Sequence, residues 1–281
     1  MIREIAPLTR EEQALFNEVL SKEFGLYFPE SKRQILESRL EPRVRELRLR
    51  RFFDYYLKVQ VDLAQEAPYL VRLVTNNETY FFREKAQFEA LFGPALQDWV
   101  AGAVTPGVVR ILSAGCSSGE EPYTLNIYAK QARFRLGTTE IQVEAFDIDT
   151  ERLHMARSGI YRERSLRAMS DELVERYFRT HDNGLWELKP AFRRGVNFRE
   201  GNIITSDAYR TSVGYDAIFC RNVLIYFSEV ALHQAIENFA SALRPGGLLF
   251  LGHSESIIGL SRHLETVRLD NCIAYRKVAE R

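Results

Sequence analysis

Cysteine pairs, histidine clusters and long apolar runs are all missing from this sequence. Only three cysteines occur among the 281 residues, and no two of them form a Cys-x-x-Cys pair. A disulfide framework or a zinc site is therefore not expected. The five histidines also lack the His-x-x-x-His spacing of a helical metal site. We expect a protein without a metal ion that works in a reducing cytoplasm.

An excess of charge of either sign is also absent. The 38 basic side chains equal the 38 acidic ones, so the formal net charge is zero. No overall field then attracts nucleic acid or an anionic membrane. No run approaches the roughly 18 apolar residues that a membrane span requires, and the start of the chain lacks the apolar core of a signal peptide. We therefore expect a monomer that is not embedded in a membrane and binds no nucleic acid.

The N-terminal part, residues 1–75, has the pattern of a small helical domain. Thr9 and Glu12 have the spacing of a capping box, in which each side chain binds a backbone N–H near the start of a helix. A second helical pattern runs from about Ser31 to Arg50. Pro42 lies within it and would end, kink or restart that helix.

From residue 108 to residue 281 the pattern alternates between short apolar runs and amphipathic helices. Such alternation predicts a Rossmann-like, doubly wound α/β sheet, and a hairpin pattern near the C-terminus predicts an antiparallel edge. Residues 76–107 form a bridge, with an amphipathic helix reaching Trp99. The expected strands are Val108–Ser113, Ile141–Phe146, Val196–Arg199, Tyr215–Cys220 and Leu248–Leu251.

The turn after the first expected strand, Ser113–Glu121, is rich in small residues. Such residues, Gly115 among them, let the backbone approach a ligand closely. The second expected strand ends at Asp147, where an acidic group accepts hydrogen bonds from the hydroxyls of a ribose. The turn and the acid together predict a nucleoside cofactor. The alternative is an ordinary tight turn with Asp147 as a helix cap.

Two adjacent carboxylates, Glu120 and Glu121, follow this turn. They would repel the pyrophosphate of a dinucleotide, whose Gly-x-Gly-x-x-Gly pattern is also incomplete here. They suit the ammonium group of an amino-acid tail, such as that of S-adenosylmethionine. The alternative is that both simply complement the dipole of the helix.

The same turn contains Gly115–Gly119, which matches the Gly-x-Ser-x-Gly elbow of α/β hydrolases. Asp216 and His253 follow in the order of a hydrolase triad. A hydrolase elbow usually follows several strands, however, and here only helical sequence comes before. This interpretation would also leave Asp147 unexplained, so we treat it as a minor alternative.

A basic stripe is expected on the second helix. Lys32, Arg39, Arg43 and Arg50 fall on one line if the helix is continuous. On a neutral protein this local charge suggests an acidic binding partner. The alternative is an ordinary solvated helix face, and nucleic-acid binding is disfavoured because no aromatic platform accompanies the stripe.

Five ordered segments, spread over nearly the whole chain, match one known family. The segments are Thr75–Glu84, Ser117–Tyr123, Asp147–Asp149 with Ala156–Tyr161, Phe219–Phe227, and Pro245–Glu255. Together they resemble the CheR family of chemotaxis receptor methyltransferases. The family has a helical N-terminal part and a Rossmann-like methyltransferase domain. This sequence departs from the family pattern at Gly115-Cys116, where relatives often carry alanines, and at Tyr80, where a small residue is common. Ile203, in place of leucine, is a mild departure.

The resemblance implies a function for the whole chain. It would transfer a methyl group from S-adenosylmethionine, which leaves as S-adenosylhomocysteine, to glutamate side chains of chemoreceptors. The basic stripe would then meet the cytoplasmic methylation helices of the receptor. A small β subdomain is expected near residues 180–197, where some members of the family bind a receptor peptide. The alternatives are a receptor-docking module with little catalysis and a methyltransferase for small molecules.

The resemblance also implies roles for single residues. The expected cofactor-binding residues are Asn77, Thr79, Arg83, Gly115, Glu120 or Glu121, Asp147, Asn202, Ile203, Asn222 and Val223. Arg83, Asn222 and Tyr226 are the catalytic candidates for orienting the substrate carboxylate, and Arg221 is a further one. None is expected to act as a general base, and His253 is expected to pack at the end of a strand.

Overall fold

The computed structural model describes residues 5–93, 96, 107–209, 211 and 213–279. These residues form two compact units. A helical unit comprises the chain up to Asn76 together with Tyr226–His233. An α/β unit comprises Asn77–Ile225 and the chain from Gln234 onward. No helix in the described ranges is long and apolar enough to cross a membrane.

The helical unit is built on apolar faces that meet in one small core. Its helices are α1 (Arg10–Phe24), α2 (Arg33–Glu46), α3 (Phe52–Val61) and α4 (Leu63–Val74). The predicted capping box is confirmed, because Thr9 accepts from the Glu12 N–H while the Glu12 carboxylate accepts from the Thr9 N–H. Phe16, Leu36 and Leu40 are fully buried and anchor the helices to one another.

The second helical pattern, expected from about Ser31 to Arg50 with an end, kink or restart at Pro42, forms a shorter helix that contains this proline. Helix α2 continues through Pro42 but ends at Glu46. Arg48 then adopts a left-handed φ of 57°, which no α-helix accommodates. Arg50 lies beyond this turn and therefore cannot share a helical line with Lys32, Arg39 and Arg43.

The rest of the described chain alternates between strands and helices. The strands are β1 (Val108–Ala114), β2 (Glu140–Asp147), β3 (Ile160–Tyr161), β4 (Phe178–His181), β5 (Leu185–Leu188), β6 (Val196–Glu200), β7 (Tyr215–Cys220), β8 (Leu243–Leu251), β9 (Leu264–Leu269) and β10 (Cys272–Lys277). The helices are α5 (Lys85–Phe92), α6 (Glu120–Leu136), α7 (Thr150–Ser158), α8 (Asp171–Tyr177), α9 (Pro190–Arg193) and α10 (Glu229–Ala242).

The main sheet has the strand order β6-β2-β1-β7-β8-β10-β9. The strands from β6 to β8 pair in parallel, while β10 pairs antiparallel with both β8 and β9. The predicted doubly wound sheet with an antiparallel edge is therefore confirmed. The chain reverses its direction of winding between β1 and β7, and ligands of such sheets bind beyond the carboxyl ends of the strands at that point.

Two further features frame the carboxyl end of this sheet. Strands β3, β5 and β4 form a separate antiparallel sheet. Helix α5, which lies in the segment expected as a bridge, packs against the main core, because Phe88 of α5 stacks on Phe219 of β7 with ring centroids 5.5 Å apart. The described part of this helix ends at Phe92, and its expected continuation towards Trp99 lies outside the described residues apart from Leu96.

Candidate active site

The turn between β1 and α6 wraps tightly around the carboxyl end of β1. Gly115 and Cys116 both donate backbone hydrogen bonds to the carbonyl oxygen of Phe146, at 2.9 and 3.0 Å. Gly115, Ser117 and Gly119 all have positive φ values, of 75°, 47° and 91°. Ser117 is the unusual member, since residues with a Cβ rarely adopt this conformation outside functional turns.

Gly115 brings the turn into contact with the ends of two other strands. A Cβ on Gly115 would lie 2.9 Å from Cγ2 of Val223 and 3.4 Å from Cδ1 of Ile203. Val223 follows β7, and Ile203 follows β6. These three predicted residues therefore line one place, and only a glycine leaves room for the close approach.

Asp147, the last residue of β2, joins the same turn. Its Oδ2 accepts the Ser117 N–H at 2.7 Å, and its Oδ1 accepts the Asp149 N–H at 2.8 Å. The side chain is buried, and desolvation raises the pKa of Asp147 to about 6 although these backbone N–H groups act in the opposite direction. The structure therefore places the predicted acid directly against the predicted loop.

Asn77 reaches this cluster from the segment before α5. Its Nδ2 donates to Oδ2 of Asp149 at 3.0 Å, and its carbonyl oxygen accepts from the hydroxyl of Ser117 at 3.4 Å. Thr79 is half-buried in the same segment. Asn202 follows β6, and its Oδ1 caps the next turn by accepting the Ile204 N–H at 3.2 Å.

Glu120 and Glu121 differ in their surroundings. Glu120 is 1% exposed, and its two oxygens accept the hydroxyls of Ser118 and Ser165 at 2.8 and 2.9 Å. The side chain of Glu121 keeps 15% exposure and accepts from the Ser113 hydroxyl at 2.7 Å. Burial raises the pKa of both carboxyl groups. Glu120 is thus enclosed by the fold, whereas Glu121 remains accessible.

A buried guanidinium group stands beside Glu121. The side chain of Arg221 is 2% exposed, with Nη1 3.3 Å from Oε2 of Glu121 and Nη2 3.6 Å from Oε2 of Glu84. Nη2 also donates to the carbonyl oxygen of Arg83. The bond from Arg221 therefore ties the turn before α5 to the end of β7. Within that turn, Arg83 donates to the Glu78 carbonyl oxygen at 2.9 Å.

The residues after β7 are held by one carboxylate that the sequence interpretation did not single out. Oxygens of Glu255 accept the backbone N–H groups of Asn222, Val223 and Leu224 at 2.8, 2.9 and 2.8 Å. Glu255 also accepts the Gly252 N–H at 2.6 Å. Asn222 has a left-handed φ of 62°, and these bonds hold it in that conformation.

Comparison with known proteins agrees with this arrangement. The model described as the SAM-binding domain of CheR methyltransferases matches residues 77–273, and the all-alpha domain of the same family matches residues 11–75. The chain belongs to the CheR methyltransferase family. It is therefore a methyltransferase with a domain for S-adenosylmethionine.

Three relatives of the CheR family show how far the likeness extends. Chemotaxis protein methyltransferase 2 of Vibrio cholerae is 34% identical over 273 residues, which cover 96% of this chain and 94% of the relative. Chemotaxis protein methyltransferase 2 of Pseudomonas aeruginosa is 36% identical and covers 92% and 91%. Chemotaxis protein methyltransferase 1 of the same species is 33% identical and covers 93% and 96%.

The residues present fit the cofactor of the CheR family. The close approach at Gly115 provides a cradle that a side chain would fill. Asn222 Oδ1 and Arg221 Nε are buried polar atoms without a hydrogen-bond partner in the described part of the chain. Glu121 places a carboxyl group beside Ser113 of β1 and Arg221, which follows β7. A nucleoside with a charged amino-acid tail matches this set of groups.

The structure does not support the hydrolase alternative, which requires Ser117, Asp216 and His253 to lie together. Asp216 lies near the amino end of β7, where it pairs with Arg244 and accepts the Arg110 N–H. His253 pairs with Glu84 at 2.9 Å, and its side chain is 73% exposed. Neither residue lies at a hydrogen bond's distance from Ser117. The expectation that His253 is packed at a strand end is therefore wrong, because its ring faces solvent.

Tyr226 and the basic stripe lie in the helical unit. The Tyr226 hydroxyl accepts from Asn76 at 2.6 Å, and the ammonium group of Lys32 lies 6.0 Å from its ring centroid. Arg39 donates to the Val74 carbonyl oxygen and lies over the Phe28 ring. Burial lowers the pKa of Arg39.

The prediction that Arg43 presents its charge to a partner is wrong. Its side chain is 9% exposed, with Nε and Nη2 bound to the Glu66 carboxylate at 3.0 and 2.9 Å. The guanidinium also stacks on Tyr69, 3.5 Å from the ring centroid. Arg43 is therefore a core residue of the helical unit. Of the four residues predicted to form the stripe, Lys32 and Arg50 are exposed, but only Lys32 lies at the start of α2, since Arg50 follows the end of that helix.

Proposed function

We propose that this protein methylates glutamate side chains of chemoreceptors, giving glutamyl methyl esters. The observation that carries the proposal is the single cluster formed by the turn after β1, Asp147 and Glu121 in a chain of the CheR family. Its relatives are named chemotaxis protein methyltransferases, and a receptor working in chemotaxis is the substrate that this name favours. We infer a cytoplasmic location, where receptor signalling helices are accessible.

The cofactor would be held by residues at the carboxyl edge of the sheet. Asp147 would accept the ribose hydroxyls, and Asn202 with Ile203 would flank the adenine. Glu121, rather than Glu120, would accept the ammonium group of the methionine tail, because the Glu121 side chain is 15% exposed whereas Glu120 is 1% exposed. The remaining proposed contacts are Asn77, Thr79, Arg83, Gly115, Asn222 and Val223.

The chemistry places modest demands on the protein. A glutamate side chain has a pKa of about 4.3 and is ionised at neutral pH, so no general base has to remove a proton. S-adenosylmethionine supplies, when bound, a methyl group activated by a positively charged sulfur. The protein then has to align the carboxylate and exclude water. Arg83, Asn222 and Tyr226 are the proposed orienting groups, and Glu255 would keep Asn222 in place.

The experiment that tests this function uses purified protein, methyl-labelled S-adenosylmethionine and cytoplasmic fragments of a chemoreceptor. We expect label on the fragments that mild base releases as methanol, as a carboxyl methyl ester requires. Label that resists base would contradict glutamate esterification. Cofactor binding without any methyl transfer would favour a docking module. Methyl transfer to small molecules alone would contradict the proposal that the substrate is a protein.

The exposed part of the basic stripe is proposed to meet the acidic methylation helices. Replacing Lys32 by alanine should raise the KM for receptor fragments severalfold at low salt, and the difference should shrink as salt screens the charge. Methylation rates over a salt series measure this effect. Lys85→Ala removes an exposed lysine of the α/β unit and serves as the control. Equal effects of the two variants at every salt concentration would make the stripe ordinary surface.

A further inference from the structure

Arg221 is a deeply buried cation in the candidate active site. Its guanidinium lies between two carboxylates of separate segments, Glu121 at the start of α6 and Glu84 before α5. One face of the group lies over the Phe88 ring, 5.0 Å from its centroid. With a side chain only 2% exposed, Arg221 has no surface to offer a protein substrate.

Glu121 is an acid whose charge depends on its neighbours. Burial raises the pKa of its carboxyl group, Arg221 is the strongest opposing influence, and the Ser113 hydroxyl and Arg83 act in the same direction as Arg221. Glu84 raises it further as a like charge. The thiols of Cys116 and Cys220 are also near, but burial raises their own pKa values so far that they stay neutral.

Glu84 completes the set of groups around the guanidinium. Burial acts to raise its pKa, but the hydrogen bond with His253 and the charges of Arg221 and Arg83 prevail and lower it. Two cations, Arg83 and Arg221, therefore face two anions, Glu84 and Glu121. This balance suits a zwitterionic amino-acid tail, which adds one charge of each sign.

We propose that Arg221 is a positioning residue for the cofactor, which keeps Glu121 ionised and fixed so that Glu121 binds the ammonium group of the methionine tail. The inference rests on the proposed cofactor role of Glu121. The forked guanidinium reaches Glu121 with one nitrogen while another binds the Arg83 carbonyl oxygen and approaches Glu84. A single ammonium group would not span these partners equally well.

The test compares two ligands that differ only in the amino-acid tail. S-adenosylhomocysteine carries the ammonium group, whereas 5′-methylthioadenosine has the same adenine, ribose and uncharged thioether sulfur without an amino acid. In Arg221→Gln the pKa of Glu121 should rise further, because the strongest influence that opposes burial is removed. We expect the loss of S-adenosylhomocysteine affinity, relative to the unaltered protein, to be larger at about pH 6 than at about pH 7.5, by up to about tenfold. Affinity for 5′-methylthioadenosine should change little at either pH.

Matched variants separate positioning from a structural role. Arg221→Lys restores a positive charge and should recover most of the pH independence. Arg244→Gln removes another buried arginine, which is 8% exposed and pairs with Asp216. We expect it to lower the melting temperature without the pH-dependent loss. If Arg221→Gln does not fold, the affinity of Arg221→Lys for the two ligands still tests the proposal, since only the ligand with the tail should be affected.

Two results would overturn the inference, and they are distinct from failure of the proposed cofactor site. One is an equal loss of affinity for both ligands at every pH in the Arg221 variants. The other is a pH profile in Arg221→Gln parallel to that of the unaltered protein. Glu121→Gln checks the underlying assignment: unchanged affinity for S-adenosylhomocysteine in this variant would reject Glu121 itself. Calorimetric titration at the two pH values measures every one of these affinities.

Discussion

Replacing Asp147 by alanine is expected to weaken binding of S-adenosylmethionine at least tenfold. The carboxylate is proposed to bind the ribose, and it also holds the Ser117 and Asp149 N–H groups at 2.7 and 2.8 Å. Loss of a charge-assisted hydrogen bond costs about 1.5–3 kcal/mol, and tenfold corresponds to about 1.4 kcal/mol. Calorimetric titration of the variant with the cofactor measures the change.

The control for this variant is a carboxylate that lies close in sequence but points to solvent. Glu151 is exposed in the first turn of α7, and Glu151→Gln should leave the cofactor affinity within about twofold, the scale of a surface substitution. Asp147→Ala with unaltered affinity would reject the ribose assignment. Equal weakening in both variants would show that negative charge in general, rather than Asp147, governs binding.

Asp147 should also make the cofactor-free protein less stable as the pH rises. Burial raises its pKa in the folded state to about 6, above the ordinary value of 3.8. The folded state therefore holds the proton more tightly, and stability from this group is present below about pH 4 and lost as the pH approaches 6. Relative to Asp147→Asn, the free energy of unfolding should fall by about 2–3 kcal/mol over this range. Denaturant unfolding at a series of pH values measures this difference. The same pH dependence of the free energy of unfolding in both proteins would contradict the raised pKa.

This cost fits the position of Asp147 at a site. A carboxylate is buried against the turn after β1, although a neutral residue would be easier to accommodate there. We propose that this carboxylate serves function rather than stability, since a buried acceptor at the end of β2 could bind a nucleoside. The same reasoning applies to Glu121, whose pKa burial also raises.

The sheet could be predicted because its strands are local features. The fully buried strand Tyr215–Cys220 is recognisable as an apolar run, and its predicted bounds agree with the structure. The turn after β1 and Asp147 were also predictable, since the carboxyl ends of parallel strands meet at one edge of a sheet. Glu120 and Glu121, by contrast, are adjacent in sequence, and only their neighbours in space distinguish them.

The residues that were misjudged depend on partners far away in the chain. Arg221 is far in sequence from its partners Glu84 and Glu121, so the sequence does not indicate that its guanidinium is buried. The role of Glu255 depends on backbone N–H groups more than 30 residues earlier, as the bond to Asn222 shows. No periodicity reports such contacts. The signals available for Glu255 were its position just after a buried strand and its place at the end of the family-matching segment Pro245–Glu255.

Arg43 is the clearest case, and its replacement by alanine should lower the stability of the helical unit by about 3–5 kcal/mol. The change leaves the fully buried Glu66 carboxylate without its bidentate partner, which is the costly way to break a buried ion pair. The hydrogen bonds that Arg43 donates to Glu66 raise the pKa of Arg43, so the guanidinium stays charged in the folded state. Amide hydrogen exchange of α2 and α4 in the full-length protein measures the loss in this unit directly.

Arg45 provides the matched control for Arg43 within the same helix. It forms an ion pair with Glu41, but the two side chains are 47% and 37% exposed, and such surface pairs contribute about 0–1 kcal/mol. The double variant Arg43→Met with Glu66→Leu should recover much of the stability lost in Arg43→Ala, because it removes both charges together. A variant Arg43→Ala that keeps normal exchange protection but loses receptor methylation in a salt-dependent manner would contradict this interpretation. That result would place Arg43 in the substrate-binding surface, because salt weakens the interactions of exposed charges far more than those of buried ones.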